Sequence, residues 1–206
     1  MSSADTVRGA DRLRRVETLR ARIDESISIR QALLEDRQLA TVVDAVVGAI
    51  VGSILEGGKV MLCGNGGSAA DAQHLAAELV GRFCLEREPF PAIALADNVA
   101  ALTAISNDYA YEDAYARAVR AFGRSGDVLI GLSTSGESVN VVQALKAATA
   151  RGVITVVFAG ASGSAVEAAA QYALLVPAPS TASIQEVHKL LGHVIFELVE
   201  RELCAP

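Results

Sequence analysis

Two rhythms of apolar and polar positions divide this chain. Over residues 5–37 charged positions alternate with Ile23, Ile27, Leu33 and Leu34 at helical spacings, and residues 39–55 continue as a second, more apolar helix that Gly57-Gly58 ends. From Lys59 onward, short apolar runs trade places with longer alanine-rich stretches. The runs predict strands at 59–63, 91–95, 127–132, 153–158 and 172–176, and the stretches predict helices at 68–82, 97–105, 111–122, 138–151, 164–170 and 182–203. Strand, helix and strand joined by short loops mean an α/β fold whose parallel sheet is covered on both faces. The two leading helices, within 1–57, lie outside that alternation. They are expected to pack on the sheet and form part of a subunit interface; the alternative is that they only cover the sheet within one subunit. The repeating region, 58–206, reads as one domain, about 38–206 with the second helix included.

Ligands in such folds sit beyond the carboxyl ends of the strands, and two loops there carry polar chemistry. The first strand runs into Gly64-Asn65-Gly66-Gly67-Ser68, and a helix leaves it. A glycine turn frees backbone N–H groups, Ser68 reads as the N-cap, and the helix points its positive end at the turn, so an anion is expected there. Farther along, His74 and Glu78 share one helix face, either as a solvated pair or as an acid–base or metal pair. The third strand enters Ser133-Thr134-Ser135-Gly136-Glu137-Ser138, where hydroxyls suited to phosphate oxygens surround a glycine. Neither loop has the lysine of a nucleotide-triphosphate loop. Two other readings stay open. Gly64 to Ala69 also matches G-x-G-x-x-A, the dinucleotide fingerprint, with Asp97 placed as a ribose-binding acid, although such an enzyme gives no reason for the second hydroxyl-rich loop. The serines can also be plain helix caps.

Composition narrows the partners. The 206 residues carry a formal charge of −6, which argues against nucleic acid, since a phosphate backbone calls for a basic face. Cys63, Cys84 and Cys204 lack metal-ligand spacing and suit a reducing compartment; Cys63, closing an apolar strand, reads as core. No apolar segment follows the early arginines as in a signal peptide, and the apolar run at 42–55 is short for a span and interrupted by Asp44. A cytoplasmic protein without a membrane partner is expected.

Four separated stretches in order carry a family resemblance: residues 63–81, Ser106-Asn107-Asp108, residues 131–138, and Ile184-Gln185-Glu186-Val187-His188. With them the chain resembles the phosphoheptose isomerases of the sugar-isomerase (SIS) domain superfamily, nearly from end to end. The resemblance implies a single SIS domain, a flavodoxin-like five-stranded parallel sheet flanked by helices. It implies isomerisation of sedoheptulose 7-phosphate to D-glycero-D-manno-heptose 7-phosphate, the first step of nucleotide-heptose supply, by a homotetramer with zinc in many members. Position by position, it places phosphate on Ser68, Ser133, Thr134, Ser135 and Ser138, and sugar on Asn65, Gly66, Gly67, Asn107 and Asp108. The metal falls to His74, Glu78, Gln185 and His193, with Glu78 and Gln185 also touching substrate, and proton transfer falls to Glu78 and His193. Those residue types suit enediol chemistry, which needs a base at the carbon losing a proton and an acid at the oxygen gaining one.

Gln185 and His193 are about 12 Å apart along a straight helix, so sharing one metal would stretch both side chains; a site completed by two subunits relieves this. The last helix is therefore expected at an oligomer interface, with Ile184, Val187, Leu191, Val194, Ile195 and Leu198 as packing residues. His188 matches no ligand position and is expected to be partner-bonded or at the surface. Ser183 stands where many members carry arginine, which leaves the sugar open to relaxed specificity. The competing reading is a non-catalytic SIS protein that binds a replication-initiation or regulatory partner under phosphosugar control; that group lacks the acid and the histidine present here as Glu78 and His193.

Overall fold

The computed structural model describes residues 3–160 and 164–204, with side chains from residue 11 onward. The chain separates into two compact units, 1–37 and 38–206. The first is a single helix, α1 (Ser3–Glu35), along which Leu13, Val16, Leu19, Ile23, Ile27 and Leu34 are exposed.

The second unit holds α2 (Arg37–Leu55), β1 (Val60–Gly64), α3 (Gly67–Val80), β2 (Ala92–Ala94), α4 (Val99–Asp108), a 3-10 turn (Tyr111–Asp113), α5 (Ala114–Phe122), β3 (Val128–Ser133), α6 (Val139–Thr149), β4 (Ile154–Ala159), α7 (Ala165–Ala168), β5 (Tyr172–Leu175) and α8 (Thr181–Cys204). All five strands pair in parallel in the order β2-β1-β3-β4-β5. This is the flavodoxin-like order expected, and the chain turns away from β1 in opposite directions to reach β2 and β3. A crevice therefore opens between the carboxyl ends of β1 and β3. The register pairs Gly64 with Leu132, which brings the two polar loops side by side at that crevice.

Both sheet faces are apolar because both are covered, so β1, β3 and nearly all of β4 are buried along their length. Met61, Cys63, Leu129 and Val157 join Tyr115, Val119, Val141 and Leu145 in one core layer. Their neighbours in the strands, such as Leu62, Ile130 and Phe158, point to the opposite face, where α3 and α8 pack. Burial pushes the Cys63 thiol up to about 12, so it is core, as expected, and no nucleophile.

α2 begins two residues before the predicted 39–55 and ends with it at Leu55. By length and composition it is able to cross a membrane, with a mean hydropathy of 1.9 and 28% of that window buried. Residues 42–55 alone are short for a span, and it is the whole 19-residue helix that reaches the necessary length. Its Val46, Val47 and Ile50 are nevertheless fully or almost fully buried in the protein's own core.

Candidate active site

The loop after β1 is built on close contacts that side chains would prevent. A Cβ on Gly64 would lie 2.8 Å from backbone atoms of Ser68, and Gly66 takes a φ of +55°, the left-handed region open to glycine. Ser68 was read as the N-cap, but Gly66 holds that position without a side-chain bond. The helix starts one residue early and Ser68 lies buried in its first turn. Both loops lead into helix N-termini, α3 at Gly67 and α6 at Val139, whose dipoles favour an anion. In the second loop Ser133 and Ser138 share a hydrogen bond of 2.9 Å, Ser135 Oγ accepts from the Glu137 N–H at 3.2 Å, and Gly136 takes a φ of +74° tight against Ser164. Ser133, Thr134, Ser135 and Ser138 thus surround one turn at the end of β3.

A pair of amides ties these loops together. Asn65 and Asn140 exchange two hydrogen bonds of 2.8 Å, and the Tyr111 hydroxyl donates to the same Asn65 oxygen at 2.7 Å. The Tyr115 hydroxyl donates to the Gly64 carbonyl below them. Asn140, Tyr111 and Tyr115 were not anticipated. A buried asparagine one residue into α6 was the available signal, but its partner lies 75 residues away. Asn107 and Asp108 form the last turn of α4 rather than a free turn, and their side chains bond to each other at 2.9 Å. Tyr111, three residues on, carries the chain from there to Asn65.

The second station lies along α3. His74 Nε2 is 3.0 Å from Glu78 Oε1, His193 Nε2 is 3.2 Å from that same oxygen, and the two ring nitrogens are 3.1 Å apart. These three donor atoms, contributed by α3 and α8, form a group able to hold a metal ion. Phe83 stacks on the His193 ring with centroids 5.5 Å apart, and His74 meets it edge-on. Edges of 3.0–3.2 Å are a few tenths shorter than the roughly 3.3–3.6 Å between ligands of a tetrahedral ion bonded at about 2.0–2.2 Å. The other Glu78 oxygen, Oε2, is buried without a hydrogen-bond partner. A half-buried carboxylate with a buried, unspent oxygen, facing two imidazoles, fits a divalent cation such as zinc. Burial raises the Glu78 carboxyl above its ordinary range, against the pull of His193 and His74, and Glu200 adds a smaller push upward.

Gln185 does not join this cluster within the chain. Its amide donates to Asp71 Oδ2 at 2.7 Å, and its head group lies where a Cβ on Gly67 would stand, at the very start of α3. His74 is seven residues farther along α3, about 10 Å of rise. Lys189 also reaches Asp71, at 3.0 Å, so that buried carboxylate serves α8 twice. α3 and α8 therefore run parallel: Gln185 meets the start of α3 and His193 its middle. Gly192 is packed against Leu75, where a Cβ would come within 2.7 Å.

The rest of α8 departs from expectation in two places. Ile184, Val187, Leu191 and Ile195 are buried, but Val194 and Leu198 are each more than a third exposed and form an outward row with Leu190. His188 is fully buried; its Nε2 meets the Ala159 carbonyl at 3.1 Å, which makes it partner-bonded as anticipated. Ser183, at the arginine position, is buried and bonded to Ser180 Oγ at 2.7 Å.

Comparison with known proteins agrees with this geometry. The SIS domain family model matches residues 23–160. A phosphoheptose isomerase from Roseiflexus sp. (strain RS-1) is 50% identical over 88% of this chain and 91% of its own length. Another from Clostridium acetobutylicum is 44% identical over 90% and 94% respectively. Among solved structures, a phosphoheptose isomerase from Neisseria gonorrhoeae superposes with a TM-score of 0.83 at 40% identity, over 89% of this chain and 97% of that one. The counterpart from Francisella tularensis gives 0.86 at 32%, over 90% and 98%. The chain belongs to the SIS-domain family and, within it, to the phosphoheptose isomerases.

Proposed function

We propose that the protein interconverts sedoheptulose 7-phosphate and D-glycero-D-manno-heptose 7-phosphate, with Glu78 and His193 as the proton-transfer pair. The observation that carries this reading is the 3.2 Å approach of Glu78 Oε1 to His193 Nε2, two groups far apart in sequence, with Glu78 on the helix that leaves the phosphate-type crevice. The phosphate is held by Ser68, Ser133, Thr134, Ser135 and Ser138 with the N–H groups of both loops. Asn65, Gly66, Gly67, Asn107, Asp108 and Gln185 surround the sugar. Glu78 takes the proton from the hydroxymethyl carbon next to the ketose carbonyl while His193 gives one to the carbonyl oxygen, forming an enediol. Return of a proton to the former carbonyl carbon, and loss of the terminal hydroxyl proton, give the aldose. A carboxyl raised by burial is a better matched base near neutral pH than an exposed one.

His74, Glu78 and His193 hold zinc, with Gln185 as a further ligand. Bound zinc supplies a Lewis acid that polarises the carbonyl. Because Gln185 meets the start of α3, about 10 Å of helical rise before His74, it completes such a centre from a second copy, exchanging its bond to Asp71 for the metal. The exposed apolar row of Leu190, Val194 and Leu198 and the one along α1 support assembly, as a homotetramer, through these helices. No observation favours a non-catalytic role, since both groups missing from that class are present and in contact.

Incubating the zinc-loaded protein with sedoheptulose 7-phosphate in D2O tests the assignment. Proton NMR is expected to show an aldoheptose 7-phosphate carrying deuterium at C2. Glu78→Gln should slow its appearance by about 10²–10⁴-fold. An unchanged rate in that variant would remove Glu78 as the base.

A further inference from the structure

A second buried charge pair, outside the cluster, closes a ring of contacts around it. Glu200 stands seven residues after His193 on α8, two turns on and on the same face. Its carboxylate accepts from the backbone N–H groups of Phe83 (3.1 Å), Cys84 (2.6 Å) and Leu85 (2.8 Å), and from Arg87 Nε (2.8 Å). Both side chains of the pair are almost wholly buried, 4% exposed for Arg87 and 1% for Glu200. Burial alone would raise the Glu200 carboxyl, but those four donors outweigh it and hold it below its ordinary value, so it is ionised.

The other guanidinium nitrogens of Arg87 turn to the end of α3. Nη1 donates to the carbonyls of Leu79 (2.9 Å), Gly81 (3.3 Å) and Glu88 (3.0 Å), and Nη2 donates to the carbonyl of Glu78 (2.8 Å). These include orphan carbonyls of a helix end that ordinarily needs a capping motif. The same Glu78 whose carboxylate faces His193 is therefore gripped by its backbone. The ring runs from Glu78 Oε1 to His193, along α8 to Glu200, through Arg87 and back to the Glu78 carbonyl. Glu200 also fixes the backbone of Phe83, whose ring covers His193.

The geometry points to Arg87 and Glu200 as positioning residues for the isomerisation: as a pair they set the separation and facing of Glu78 and His193 and the seat of Phe83. This rests on the assignment of those two residues to proton transfer. A planar guanidinium with several aimed donors is what the arrangement uses, and lysine offers a single compact charge in its place. A displacement of about 1 Å at a proton-transfer pair costs up to about 100-fold in rate, whereas phosphate binding at the loops of β1 and β3 is untouched.

Arg87→Lys and Glu200→Gln are the variants to make, with Glu78→Gln and a core truncation on β4, Val157→Ala, as references. The readouts are kcat, KM for sedoheptulose 7-phosphate, thermal midpoint, and zinc affinity by competition with a chromophoric chelator. The expected result is a kcat lowered by about tenfold or more with KM within about twofold. Zinc affinity should drop by about 10–100-fold, as when outer-shell partners of metal ligands are lost. Val157→Ala should lower the midpoint while kcat and zinc affinity stay at the wild-type level. If Arg87→Lys and Glu200→Gln lower only the midpoint, as that reference does, the pair is structural and the proposal falls. If Glu78→Gln retains full rate, the proton-transfer assignment falls, and the positioning role with it. If Glu78→Gln is slow and Arg87→Lys is not, the assignment stands and the positioning role alone is overturned. Should both pair variants fail to fold, Phe83→Leu decides: loss of kcat at constant KM supports the seat on His193, and wild-type kcat and zinc affinity overturn it.

Discussion

At Gly64 and Gly67 a methyl group would meet different neighbours, and the consequences differ. On Gly64 it would strike the Ser68 backbone at 2.8 Å, which cannot move without opening the first turn of α3. On Gly67 it would strike the Gln185 amide at 2.5 Å, the free end of a flexible side chain. Gly64→Ala is therefore expected to lose about 1–3 kcal/mol in a denaturant titration and to raise KM by distorting the phosphate loop. Gly67→Ala should lose less and act by releasing Gln185 from Asp71. His188 offers a pH test. Burial lowers its pKa below the ordinary 6.5, against smaller upward pulls from the Ala159 carbonyl and Asp71, and its Nδ1 has no partner. As pH falls through about 6.5, the unfolded imidazole takes a proton before the folded one. Stability is therefore complete above about 6.5 and drops as pH falls toward the folded value. Urea midpoints at about pH 7.5 and 5.5 should separate for the wild type and lie closer together in His188→Gln. The sequence identified His188 as a non-ligand; its burial against Phe158 and the Ala159 carbonyl, the latter 29 residues away, is encoded by no local pattern.

Among the elements, α8 brings Gln185 and His193 against α3. It begins on Ser180, whose hydroxyl accepts from the Ser183 N–H at 3.2 Å and pairs with the Ser183 hydroxyl. Ser180→Ala is expected to cost about 1 kcal/mol, read as a lowered thermal midpoint. Its larger effect should be a looser α8 start at Gln185, seen as faster amide exchange over the first turn. Most element positions were legible because apolar runs and glycine breaks act within a few residues. β1, β3 and β4 each lie one residue later than predicted, and β2 and β5 shrink at the sheet's edges, where fewer partners hold them. Ser68 was misplaced as a cap because Gly66, with its left-handed φ, already turns the chain into the helix. Val194 and Leu198 were legible as apolar but not as outward-facing. Period alone defines a stripe, and α8 is wide enough to present one stripe to α3 and the sheet and another to the outside.

For the whole molecule, assembly has a direct test. If the zinc centre combines His74, Glu78 and His193 of one copy with Gln185 of another, two inactive variants should complement. Mixing His74→Ala with Gln185→Ala after mild dissociation should restore a measurable fraction of wild-type turnover, since some sites then receive a complete set. Absence of recovery, with mixed oligomers confirmed by native mass spectrometry, would place all ligands in one chain. The sequence by itself determined the alternation of strands and helices, the two glycine- and hydroxyl-rich loops, and the His74–Glu78 pair on one helix face, because each is written in neighbours a few positions apart. Only the tertiary structure decided which of them meet. The order β2-β1-β3 sets the two loops side by side, and the parallel packing of α3 on α8 joins His74 to His193 across 119 positions, Asp71 to Gln185 across 114 and Arg87 to Glu200 across 113. Contacts at such separations are settled by burial of whole helix faces against the sheet and by close-packing glycines such as Gly192, and neither leaves a local trace in the order of residues.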